Sequence, residues 1–162
     1  MLNRIKLGTH YSIQCIRDGE VVWTDETDNM IVQEGLQYIL GSSLGDTEKK
    51  QLYCGLCSHY SVEYDDTMAD HSFIEFDGTS SVERPPAEFE DSGPVATGWT
   101  YTAVDVQFLI FQAATLHGIF LTDNKVINEN SGILFGVAPF STNKNVSIGD
   151  SLLVTISVLA EG

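Results

Sequence analysis

Residues Tyr11–Asp25 read YSIQCIRDGEVVWTD, and this stretch decides the fold. Tyr11, Ile13 and Cys15 alternate with Ser12 and Gln14, the period of two that places successive side chains on opposite faces of a strand. Asp18-Gly19 then supplies the left-handed conformations of a two-residue hairpin turn, and Glu20–Asp25 returns as the partner strand. The unit is an antiparallel hairpin with one apolar face. Such a face must be covered, so more strands of the same kind are required.

Working outward, the final segment Ser151–Leu159 repeats the pattern: Leu152, Val154, Ile156 and Val158 share one face, Thr155 and Ser157 the other, after the turn Gly149-Asp150. Val104, Val106, Phe108 and Ile110 form the apolar face of another strand, with Ala103, Asp105 and Gln107 opposite. Leu52–Cys57, Leu116–Thr122 and Ile133–Phe140 read as strands too, and Asp123–Gly132 as a turn-rich link. Val32, Leu36, Ile39 and Leu40 instead follow helical spacing, with Gly41 placed as a left-handed C-cap and Gly35 weakening the helix. The expected fold is mainly β: one antiparallel β-sandwich domain over residues 1–162, jelly-roll-like, with one short helix near Val32–Leu40. Between about 58 and 98 the pattern fades into a long acidic loop. Phe73–Phe76 is its one plausible strand, and Arg84-Pro85-Pro86 breaks regular structure beyond it.

Charge narrows the function classes. The chain holds 23 Asp and Glu against 8 Lys and Arg, a formal net charge of -15, which repels nucleic-acid phosphates and argues against direct DNA or RNA binding. The acids concentrate in Ser61–Gly93, where Glu63, Asp65, Asp66, Asp70, Glu75, Asp77, Glu83, Glu88, Glu90 and Asp91 face the single Arg84. A hydrophobic fraction of 43% with no long apolar run speaks against a membrane span. Arg4 and Lys6 interrupt the apolar residues of Met1–Leu7, unlike a secretory signal.

The order of these features resembles a family of small virion proteins of tailed bacteriophages. The residues that carry the likeness are Glu34-Gly35-Leu36, Gly55-Leu56, Asp66-Thr67-Met68, Phe73–Phe76, Arg84-Pro85, His117–Thr122, Gly132–Phe140 and Gly149-Asp150 with the last strand. The likeness spans nearly the whole chain and lies in the fixed order of turn and core residues. It implies a structural virion component made in the bacterial host cytoplasm. That component is either a capsid cement or decoration protein or a tail-associated or adaptor subunit; its partners would be the major capsid protein, other virion subunits and further copies of itself. The chain departs from the family pattern in Cys54 and Cys57, which flank Gly55-Leu56, and in its acidic middle.

Cys54 and Cys57 have redox or zinc-site spacing, but positions i and i+3 of a strand diverge, so buried reduced thiols are expected, with neither metal nor other cofactor. The acids of Glu63–Asp77 lack the alternation and glycine of a calcium loop. His10, His59, His71 and His117 sit in no nucleophile or metal motif, and no catalytic residue is assigned. Trp23 and Trp99 read as core. The run Phe108, Leu109, Ile110, Phe111 puts apolar side chains on both faces of its strand, as a doubly covered strand or a subunit contact would. The candidate interface is therefore Phe108–Phe111 together with Glu63, Asp65, Asp66, Asp70, Glu75 and Asp77. A second hypothesis is a carbohydrate-binding or hydrolysing module of a tail fibre, with Tyr60, Tyr64 or Tyr101 as a stacking platform.

Overall fold

A computed structural model describes residues 4–162; the first three residues of Met1–Leu7 lie outside it. The chain forms β1 (Lys6–Arg17), β2 (Glu20–Asp28), β3 (Met30–Ile31), α1 (Gln33–Leu44), β4 (Leu52–His59), β5 (Ile74–Glu75), β6 (Pro86–Ala87), β7 (Glu90–Val95), β8 (Gly98–Leu109), β9 (Ala114–Thr122), β10 (Leu134–Val146) and β11 (Ser151–Glu161). One sheet has the order β2-β1-β11-β8-β7; the other runs β3-β10-β9-β4-β5, with β6 also on β4. Every described ladder is antiparallel, as the mainly β reading requires. The Asp18-Gly19 turn takes positive φ at both residues, 51° and 81°.

The first and last strands pair along almost their whole length, from Lys6–Glu161 to Ile16–Ser151. That pairing centres the first sheet, whose inward residues Tyr11, Ile13, Cys15, Leu152, Val154 and Ile156 pack against Cys54, Leu56, Ile119 and Leu121 of the second. Asp25 joins the sheets at their edge: its carboxylate accepts from the Ser141 backbone N–H at 2.9 Å and from the Ser141 hydroxyl. Trp23, half-buried against Phe140, lies beside it.

Two expectations about phase change. Val104 is not inward; it is exposed, while Ala103 is fully buried. The register against β11 jumps from Val106–Val154 to Ala103–Ile156, so one extra residue is inserted, and Asp105 at φ 58° absorbs it. Past this bulge the alternation inverts, which periodicity alone does not reveal. The helix runs on through Gly41 to Leu44, with Gly45 as its C-cap. A Cβ at Gly41 would lie 2.5 Å from the Thr47 hydroxyl oxygen, which would have to turn aside. Gly35 is the residue on which the helix docks: a Cβ would fall 2.1 Å from the Phe135 carbonyl oxygen. That contact turns Leu40 outward.

The segment 58–98 is shorter as a loop than expected. It contains β5, β6 and β7; Pro86–Ala87 pairs with Leu52–Tyr53, and Glu90–Val95 with Gly98–Thr102. Extended prolines at a sheet edge do not interrupt pairing that needs no N–H from them.

At the far end, Asp150 is buried and binds the Arg17 guanidinium at 2.7 and 2.8 Å and the Ser147 N–H at 2.7 Å. The Arg17 hydrogen bonds hold the Asp150 carboxyl at about 2, against an ordinary 3.8, with burial opposing them. A depressed folded-state pKa stabilises above the unfolded value and is lost as pH falls through the folded value. Asp150→Asn is therefore expected to cost about 2 kcal/mol at neutral pH, and the gap between the two proteins' urea midpoints to close between roughly pH 4 and pH 2.

Candidate functional site

The acidic segment is built onto the outer face of the second sheet. Met68 and Phe73 are buried there with Val32, Cys57, Phe120, Leu134 and Val137, and Tyr60 and Val62 pack on the margin. This cluster exists because Gly55 and Gly118 leave room for it. A Cβ at Gly55 would meet the Phe120 ring at 2.2 Å, and one at Gly118 would meet the Ala138 carbonyl oxygen at 2.5 Å and the Tyr60 ring at 3.0 Å. His71 stacks on Phe73 with centroids 3.7 Å apart. The second sheet is thus apolar on both faces, which explains the unbroken runs LYCGLC and ILFGVA.

Two charged residues pin the segment. Glu34, in the first turn of α1, accepts the Met68 N–H at 3.0 Å and the Leu134 N–H at 2.6 Å, tying helix, segment and β10 together. Arg84, 1% exposed along its side chain, binds both carboxylate oxygens of Glu75 at 2.7 and 2.8 Å. Two further donors go to the carbonyls of Asn124 and Glu129, and its guanidinium lies 5.3 Å from the centre of the Phe120 ring. Glu75 also accepts the Asn128 N–H at 2.7 Å.

The expected interface residues separate accordingly. Phe108 and Ile110 are core, 4% and 1% exposed, because their parity points them at the other sheet. Leu109 and Phe111 are the outward pair, 47% and 63% exposed. Among the acids, Glu75 belongs to the buried ion pair and presents no free charge outward. Glu63, Asp65, Asp70 and Asp77 are exposed and Asp66 half-buried, its carboxylate accepting the Glu63 N–H at 2.9 Å. Asp77 immediately precedes Gly78, whose carbonyl accepts the Phe111 N–H at 2.8 Å.

Two further exposed apolar residues, Ile148 and Val82, lie on loops hydrogen-bonded to the Leu109 end of β8, whereas Trp99 lies at the strand's other end. Ile148 is exposed in the turn where Gly149 donates to the Ile110 carbonyl, and Val82 is exposed in the loop where Ser80 donates to the Leu109 carbonyl. Trp99 is half exposed, not core, and its indole N–H donates to Asp91 at 2.7 Å. No local pattern marks Ile148 or Val82; each is a lone apolar residue in a turn.

The cysteines are free and buried. Cys54 belongs to the core between the sheets and Cys57 to the outer cluster, so they point to opposite faces of β4. Burial pushes all three thiols up, Cys15 to about 12. Among the described residues no group of three or more His, Cys, Asp or Glu converges as a metal site would. His59 and His117 approach with ring centres 6.5 Å apart, and His10 pairs with Asp28 at 2.8 Å.

A cleft of about 640 Å³ opens between α1 and the sandwich. Tyr38, Phe89, Tyr101 and Phe135 line it, with Lys49, Lys50, Glu88 and Glu90 around them. Tyr101 is there, but Tyr60 lies on the outer cluster and Tyr64 in the acidic segment, so the three tyrosines form no common platform. No family model, curated protein or solved structure matches the chain.

Glu75→Gln leaves a buried guanidinium without its counter-charge, a loss expected to cost about 3–5 kcal/mol. Replacing both partners, Glu75→Leu with Arg84→Met, is expected to cost much less. Denaturant midpoints measure both, and limited proteolysis should cut Glu75→Gln faster between Glu63 and Glu83.

Proposed function

We propose that this chain is a structural component of a tailed-bacteriophage virion, a capsid cement or decoration protein that binds the assembled shell, built from the major capsid protein, through multivalent contacts. The ordered likeness of its turn and core residues to small phage virion proteins supports the phage assignment. The observation that supports attachment is the exposure of Leu109 and Phe111 at the end of β8, with Val82 and Ile148 exposed on the loops whose Ser80 and Gly149 N–H groups bond the Leu109 and Ile110 carbonyls. Large apolar residues gathered in one exposed region mark contact surfaces more often than isolated ones do. Many copies on a repeating shell would turn a modest apolar contact into stable attachment. The exposed acids Glu63, Asp65 and Asp70 then face solvent or a basic patch of the shell, and like charge keeps particles apart.

Leu109→Ser with Phe111→Ser is expected to fold as the parent does, because both side chains already face water, and to lose co-sedimentation with phage shells that lack this protein. Sedimentation equal to the parent's would overturn the assignment of this surface. A parent protein that neither occurs in purified virions nor sediments with shells would overturn the reading itself.

A second reading, a tail-fibre-associated carbohydrate-binding protein, is favoured by the cleft beside Tyr101, whose aromatic walls and charged rim suit a sugar ring and its hydroxyls. On that reading a glycan array gives a hit that Tyr101→Ala removes without changing the melting temperature. An array blank for the parent would exclude it.

A further inference from the structure

The ladder between β7 and β8 ends at Glu90–Thr102. On that side β8 finds another backbone partner only at its far end, where Ser80 donates to the Leu109 carbonyl at 2.9 Å and Thr79 bridges Ile110. From Ala103 to Phe108 the strand is paired with β11 alone among the described residues. An unpaired strand edge presents N–H and C=O groups to whatever can lie beside it.

Two clefts that share Pro85 and Pro86, of about 550 and 280 Å³, run along this edge. Thr102, Val104, Asp105, Gln107, Phe108 and Leu109 form the β8 side. The opposite wall does not compete for the strand: the prolines have no N–H, and the Pro85 carbonyl already accepts from Cys54 at 2.9 Å. The clefts therefore border an edge whose pairing capacity is unused.

Charge selects the occupant. Glu88, Glu90, Asp91 and Asp105 line the larger cleft. Arg84, the one cation among the lining residues of either cleft, is committed to Glu75, and Glu83 is matched by Lys125 at 2.7 Å. A second copy of a chain with net charge -15 would be repelled here. The bulge at Asp105 adds a charge and a twist to the edge, a combination that deters indiscriminate strand pairing. A segment with lysine or arginine on one face offsets those charges while its backbone completes the ladder.

We infer that the open edge of β8 takes up an extended, lysine- or arginine-bearing segment of a partner virion subunit, added as a strand beside Ala103–Phe108. The inference rests on the reading that this chain attaches to a larger assembly, and it names the chemistry by which it does so. The segment needs about six residues to span the edge at strand rise.

The probe is a synthetic peptide of about ten residues alternating lysine with valine, compared with a glutamate–valine peptide and with a lysine–valine peptide methylated at alternate backbone nitrogens. The lysine–valine peptide should bind and protect amides of Ala103–Phe108 from exchange, and neither control should do so. Glu88→Lys with Glu90→Lys, both fully surface positions, should weaken binding about tenfold or more without lowering the melting temperature. Equal binding of the methylated or the acidic peptide, or protection confined to other strands, would overturn the inference. Shell sedimentation separates the two claims. A Glu88→Lys/Glu90→Lys variant that still sediments like the parent refutes the edge and leaves the virion reading standing. Peptide capture at the edge by a protein that never sediments with shells upholds the edge and refutes the reading.

Discussion

Arg84 is the constraint around which the second half of the molecule is arranged. Its guanidinium is taken out of water beside the Phe120 ring, and a buried charge is tolerable only when its donors are matched. Glu75 supplies the counter-charge from β5, and the carbonyls of Asn124 and Glu129 take further donors from the turn before β10. Segments far apart in the chain are thereby held in one geometry. The acidic middle, which on composition alone resembles a solvated loop, becomes a cover for the second sheet because this ion pair and the Glu34 carboxylate fix its two ends.

That cover accounts for the distribution of apolar residues. A two-layer sandwich needs one apolar face per sheet, yet Leu52–Cys57 of β4, Gly118–Leu121 of β9 and Leu134–Phe140 of β10 carry no polar side chain apart from the Tyr53 hydroxyl and the Cys thiols. Met68, Phe73 and Tyr60 supply the extra layer, and glycines at 55 and 118 make room for the rings that fill it. Among the described residues the first sheet has no such layer, so the apolar residues that β8 turns away from the core remain at the surface. The proposed contacts with other proteins fall on the β8 side of the molecule, through Leu109 and Phe111 and along the unpaired edge. The residues on which the proposed phage relationship rests belong instead to the frame: Glu34 as clamp, Gly35 and Gly55 as close approaches, Gly149-Asp150 as the closing turn.

The sequence was most legible where one chemical feature fully specifies a conformation. Asp18-Gly19 between alternating residues fixes a hairpin, and a helix-spaced quartet announces α1. It was least legible where a single residue changes phase or role. Asp105 inverts the alternation of β8 by adding one residue to the strand. Gly35 looks like a weakness of α1 and is its docking point. Glu75 looks like one more surface acid and is half of a buried pair. Of the candidate interface run, parity correctly separates two inward from two outward side chains, but only the sheet order shows that the outward side is left uncovered.

What the sequence determined by itself is the class of fold: period-two apolar patterning, turn residues with positive φ and short spacing leave antiparallel sheets as the way to bury those faces, since each rule acts within a few residues. What only the tertiary structure decided is which surfaces are spent on the core and which are left exposed. Burial of Phe108, exposure of Phe111, the capture of Glu75 by Arg84 and the bare edge from Ala103 to Phe108 all depend on groups distant in sequence. Long-range pairing of that kind leaves no local periodicity to read.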